Sequence, residues 1–158
     1  MIPKTILLMF SILICSCGSP ETAPSASTNP TPNSPPLQVA EWIKGDPVNI
    51  ADGLGKNVYL IEFWATWCPP CRRSIPHLTE LQKQYKDKGL VVVGISTEDA
   101  NAIRPFVDRM GDQMDYRVAI DKNFETSKAY MQANNINTIP HAFLIVNGVR
   151  KVRRGAGG

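Results

Sequence analysis

The stretch FWATWCPPCRRSIPHL, residues 63–78, decides the reading of the chain. Two cysteines, Cys68 and Cys71, lie two residues apart, with Pro69 and Pro70 between them and Trp64 and Trp67 ahead. Upstream, NVYLIEFWA (57–65) is apolar, aromatic and branched, the composition of a buried strand. Downstream, Ile75, Leu78, Leu81 and Tyr85 recur at helical spacing, and Gly89 follows a lysine-rich end as a C-cap. The pair therefore sits where a strand hands over to a helix. Backbone N–H groups and the positive end of the helix dipole then point at the Cys68 sulfur and favour its thiolate.

Three chemistries compete for such a pair. A structural zinc site needs four ligands, and beyond this pair the domain offers only His77 and His141. A structural staple closes so short a loop that it removes little chain entropy. A redox dithiol accounts for both the spacing and the strand-to-helix position.

The remaining sequence supplies the setting. The first residues, MIPKTILLMFSILICSCGS, carry one lysine, an apolar run from Ile6 to Ile14 and then small residues, the layout of a secretory signal over residues 1–16. That run is too short to span a bilayer, which takes about twenty residues. Its end resembles a bacterial lipobox that leaves Cys17 as the lipid-carrying first residue; Cys15 departs with the signal. Cys68 and Cys71 are then the free sulfurs of the mature chain, in an oxidising compartment where a neighbouring dithiol closes to a disulfide unless kept reduced. Residues 17–36 are rich in Pro, Ser, Thr and Asn and are expected to form a disordered tether between the membrane surface and a domain spanning 37–158. The net charge of +3, with cations and acids interleaved, excludes a nucleic-acid partner.

Beyond the opening helix, GLVVVGIST reads as a second buried strand and DANAIRPFVDRMG as a helix with Ile103, Phe106, Val107 and Met110 inward. DYRVAID is a short strand, NFETSKAYMQANN a third helix, and AFLIVNGVRKVRR a hairpin turning at Asn147-Gly148, the dipeptide best suited to a type I′ turn. The pattern implies an α/β fold with a mixed sheet covered by helices on both faces.

WCPPC after an apolar strand, Pro76 five residues past the second cysteine, and NTIPHAFLI far downstream together resemble the thioredoxin superfamily. FWATWCPPC is most similar to its exported, membrane-tethered branch, the TlpA- and ResA-like thiol-disulfide oxidoreductases. The likeness covers about residues 40–153, and the stretch from about Asp99 to Asn135 is similar to the strand and helix that this branch inserts.

The resemblance implies a thioredoxin-like fold and a set of roles. Cys68 becomes the exposed attacking thiolate and Cys71 the buried resolving thiol. Pro140 becomes a cis-proline facing the disulfide, while Ile139, Trp67, Pro69 and Pro70 form the partner-docking surface. Glu62 becomes a buried acid exchanging a proton with Cys71, although GLVVVGIST lacks the lysine that partners this acid in classical thioredoxins. Trp64 is expected in the core, His77 at the surface and His141 near the sulfurs.

The implied function is a lipid-anchored thiol-disulfide oxidoreductase of the bacterial cell envelope, its domain facing the periplasm or extracytoplasmic space. It acts as a reductant of exported proteins such as apocytochrome c, draws on a membrane electron donor, works as a monomer and needs no cofactor beyond the Cys68–Cys71 disulfide. A thiol peroxidase is the alternative, weakened because Thr66 stands two residues before Cys68 instead of three. A copper or zinc carrier on the same fold is the non-enzymatic alternative, weakened by a two-residue cysteine spacing where three is usual. Thioredoxin-like domains close with a helix after the hairpin, whereas this sequence runs into RRGAGG; one sheet face is expected to lack part of its cover.

Overall fold

A computed structural model describes residues 34–153. The strands are β1 (Val39–Lys44), β2 (Val58–Phe63), β3 (Leu90–Ser96), β4 (Arg117–Asp121), β5 (His141–Val146) and β6 (Val149–Arg153). The helices are α1 (Pro69–Tyr85), α2 (Ala100–Met110) and α3 (Glu125–Tyr130), with short 3-10 turns between elements. One mixed sheet runs in the order β1-β4-β3-β2-β5-β6. Its centre is parallel, β2 to β3 and β3 to β4, and its flanks β1, β5 and β6 are antiparallel.

The period-2 geometry of the central strands divides the core in two. Trp64, Val92 and Val118 pack with Ile75 and Leu78 of α1 and Ile103, Phe106 and Val107 of α2. On the other face, Ile61, Phe63, Val93, Ile95, Phe143 and Ile145 pack with Tyr130 and Met131 at the end of α3. Phe63, Tyr130 and Phe143 meet edge-on or tilted, with centroids 5.4 to 6.0 Å apart.

The mixed sheet with helices on both faces follows the sequence reading, and the hairpin does so in detail: Asn147 and Gly148 both take positive φ, at 50° and 75°. Two elements differ. β1 was not anticipated; it is an edge strand whose pairing to β4 shifts register twice, so its side chains give no clean alternation. α3 is shorter than NFETSKAYMQANN suggests, because Asn123, Phe124 and Asn135 all adopt left-handed backbone.

The tether boundary also moves. Ser34 is buried, Tyr130 Oη lies 2.8 Å from Ser34 Oγ and donates to the Pro35 carbonyl at 2.6 Å, so the packed chain includes residues 34–36. A buried phenol needs partners, and this segment provides them. The signal, Cys17 and residues 154–158 lie outside the described residues. On the α1 face, Leu60, Leu81, Tyr85, Leu90 and Leu144 line an apolar groove of about 460 Å³.

Asp121, at the end of β4, ties the sheet to α3 by accepting the Thr126 and Ser127 N–H groups, each at 2.8 Å, in a buried position. Asp121→Ala orphans both donors and is expected to cost about 2 kcal/mol in urea unfolding.

Candidate active site

β2 carries the chain to the site and α1 begins there. Cys68 is the N-cap of α1, in extended backbone, and its sulfur accepts the Cys71 N–H at 3.3 Å. Pro69 and Pro70 occupy the first helical positions, where an absent N–H costs nothing and the fixed φ suits the helix. The Cys71 amide is thus the first donor the helix can aim at the Cys68 sulfur. Cys68 and Cys71 form a disulfide with Cα atoms 5.3 Å apart.

Cys71 is fully buried, but Cys68 departs from the expected exposed sulfur: only 3 % of the residue is accessible. The S–S bond turns its side chain inward, where it packs in the cluster containing Trp64, Ala65 and Ile75. The rim around it is open. Pro69 and Pro70 are exposed, and Trp67 is 69 % accessible. Trp67 and half-buried Ile139 share a groove of about 300 Å³ with Thr97, Met131, Gln132 and Ile136. The Ile139–Pro140 peptide bond is cis.

Glu62 lies beneath the pair. It is 3 % accessible and its Oε1 accepts the Ser74 hydroxyl at 2.9 Å. The same hydroxyl lies 2.8 Å from the Cys71 carbonyl, so Ser74 bridges the acid and the second cysteine. Burial pushes the Glu62 carboxyl up from 4.5 to about 7, against the smaller opposing effect of the Ser74 bond. Its second oxygen, Oε2, has no protein partner among the described residues.

The other sequence-predicted residues fall as follows. Trp64 is in the core and tilts against Phe106 at 5.4 Å. His77 is exposed on α1. His141 opens β5 opposite Phe63, on the α3 side of the sheet, where its ring lies 5.0 Å from that of Phe143. Burial lowers its pKa below the usual histidine value. Among the described residues no three His, Cys, Asp or Glu side chains gather to hold a metal.

Sequence reasoning missed two residues that shape the site. Ser74 reads as one more polar helix position, and only its spacing of three from Cys71 hints at its bridge. Glu98, after β3, accepts both the Thr66 N–H and the Thr66 hydroxyl at 2.6 Å and so clamps the loop leading into Cys68. Nothing local marks it, because its partner lies 32 residues earlier.

A sequence model described as the AhpC/TSA family matches residues 32–153. The chain belongs to this family. A thiol-disulfide oxidoreductase ResA of Bacillus thuringiensis subsp. konkukian is 34% identical over 111 residues, covering 70% of this chain and 60% of the relative. ResA of Halalkalibacterium halodurans is 32% identical over 108 residues, covering 68% of this chain and 57% of the relative. The chain thus spans about 60% of the length of the curated relatives it matches. Among solved structures, a thiol:disulfide interchange protein of the thioredoxin family from Chlorobium tepidum superposes with a TM-score of 0.63 at 27% identity, covering 80% of this chain and 86% of that one. The family member described here has a thioredoxin-like fold.

The raised Glu62 pKa sets a pH dependence. Between pH 4.5 and about 7 the folded chain keeps a proton that the unfolded chain releases, so the stability is complete below 4.5 and is lost as pH rises through 7. Glu62→Gln removes that dependence. Denaturant unfolding across this range is expected to show the variant gaining on the parent by on the order of 3 kcal/mol towards alkaline pH.

Proposed function

We propose that this chain is a thiol-disulfide oxidoreductase that exchanges disulfides with protein substrates through Cys68 and Cys71. The observation that carries the reading is the sulfur of Cys68 at the N-cap of α1, bonded to a buried Cys71 and rimmed by an exposed, partly apolar groove. The ResA relatives share this description by name.

In the reduced chain, the Cys68 thiolate is stabilised by the Cys71 N–H and the helix dipole. It attacks a sulfur of the partner's disulfide, forming a mixed disulfide and expelling the partner's second sulfur as a thiolate. Cys71 then loses its proton and attacks Cys68 Sγ. The Cys68–Cys71 bond forms, the bond to the partner breaks, and the partner leaves with two thiols. Glu62, its carboxyl raised by burial to about 7 and held beneath the pair by Ser74, which also meets the Cys71 backbone carbonyl, is the base assigned to take the proton of the Cys71 thiol. Trp67, Pro69, Pro70, Ile139 and Pro140 receive the partner chain.

The finer reading keeps the direction and place implied by the sequence: a reductant of exported proteins, with apocytochrome c as a substrate, a membrane electron donor, a periplasmic or extracytoplasmic domain, and a lipid anchor on Cys17. The apolar run and lipobox-like residues ahead of Cys17 support the anchor. Among the described residues no helix is long and apolar enough to cross a membrane.

Cys71→Ser is expected to accumulate mixed disulfides through Cys68 that dithiothreitol releases, visible on non-reducing gels, while Cys68→Ser accumulates none. Absence of adducts in Cys71→Ser, with peroxide consumed by the parent chain in the absence of a disulfide substrate, would transfer the assignment to a thiol peroxidase.

A further inference from the structure

The loop that delivers Cys68 separates two grooves of unlike chemistry. Ala65 and Trp67 line the groove shared with Ile139, whose walls carry no charged side chain. Thr66, between them, instead lines a second pocket of about 320 Å³ together with Arg72, Ala102, Phe106, Arg109 and Met110. The uncharged groove lies beside the end of α3, and the second pocket lies between α1 and α2. Thr66 and Arg72 flank the Cys68–Cys71 turn in sequence, so this pocket borders the disulfide.

The charged side chains lining the second pocket are both arginines, and both are exposed. Among the described residues neither Arg72 nor Arg109 forms an ion pair or a side-chain hydrogen bond. Arg104, elsewhere on α2, is paired with Glu41. Arg109 is held against a ring instead, its guanidinium carbon 6.0 Å from the centroid of Phe106. Glu98, behind Thr66, turns its two oxygens to the Thr66 N–H and hydroxyl and is not part of the lining. The pocket therefore offers cationic donors over an apolar floor, with no acid in its walls.

We infer that Arg72 and Arg109 form a subsite for a carboxylate side chain of the partner protein, carried close to the cysteine that the partner offers to Cys68. A planar guanidinium meets a carboxylate through two parallel N–H···O bonds, and here its donors have no competing acceptor. The position favours a polypeptide occupant, because a chain laid across the Cys68–Cys71 turn comes over this pocket on one side and the Trp67 groove on the other. Charge complementarity of this kind steers encounter and fixes register more than it adds affinity, which suits a partner that leaves after exchange. The two grooves together read an asymmetric pattern around the target cysteine: an apolar residue on the Trp67 side and an acidic one on the Arg72 side.

The inference deepens the oxidoreductase reading and rests on it for the nature of the occupant. The reduced full chain is mixed with synthetic peptide disulfides that differ in one residue beside the cysteine, Glu or Gln, and the exchange rate is read for each. The parent is expected to prefer Glu by about fivefold at low ionic strength, and added salt to erase the preference. Arg109→Gln is expected to bring the ratio close to one. Arg104→Gln removes the same charge from α2 outside the pocket and is expected to keep the parental ratio. In the unaltered oxidised chain, the Arg72 and Arg109 Nε–Hε NMR signals are expected to shift with a Glu peptide whose cysteine is replaced by serine, and to stay with its Gln counterpart. Equal parental rates for Glu and Gln, an equal loss of preference in Arg104→Gln, or guanidinium signals that do not respond each overturn the proposal. Exchange without discrimination removes the subsite and leaves the oxidoreductase reading standing; a saturating shift without any exchange does the reverse.

Discussion

The bond between the Cys71 amide and the Cys68 sulfur is the contact on which the rest of this domain's chemistry turns. A helix leaves its first N–H groups without backbone partners, and here two prolines remove the competing donors so that the first remaining amide meets a sulfur. The sheet supplies the rigidity. β2 is central, bonded to β3 on one side and β5 on the other, so the loop that delivers Cys68 starts from a fixed point. Glu98 then clamps Thr66 halfway along that loop. In the proposed exchange, a sulfur held in this way keeps its geometry while its bonds to a partner form and break.

Burying Glu62 in a strand between Ile61 and Phe63 is unfavourable for folding, and the Ser74 hydroxyl of α1 offsets part of that cost. The acid lies on the same sheet face as α1, whereas His141, the other buried titratable side chain close in sequence to the site, lies across the sheet among aromatic rings. The period of two along β2 and β5 decides this division: residues 60, 62 and 64 face α1, and residues 141, 143 and 145 face away from it.

The legible parts of the fold were those with short-range causes. The Asn147-Gly148 turn, the apolar run of β2, the helical spacing in α1 and the buried β3 each follow from residues close together in sequence. β1 was illegible because its pairing slips twice and its partner β4 lies more than seventy residues away. α3 was overextended because left-handed backbone at Asn123, Phe124 and Asn135 leaves little trace in hydrophobic spacing. At the site, the cysteines and Glu62 stood out by residue type. Ser74 and Glu98 did not, since each gains its meaning from a tertiary neighbour. The inward turn of Cys68 was also unreadable, because it depends on how the disulfide packs against Trp64 and Ile75.

The central claim is that the start of α1 makes Cys68 a thiolate near neutral pH although it is packed inward in the disulfide. The most direct measurement is the rate of iodoacetamide alkylation of Cys68 in the reduced chain as a function of pH, with Cys71 identified separately by mass spectrometry. The account expects Cys68 to react first, with a midpoint at least one unit below the value of about 8.5 for a free cysteine. A midpoint at or above that value, or modification of Cys71 at the same rate as Cys68, would contradict it.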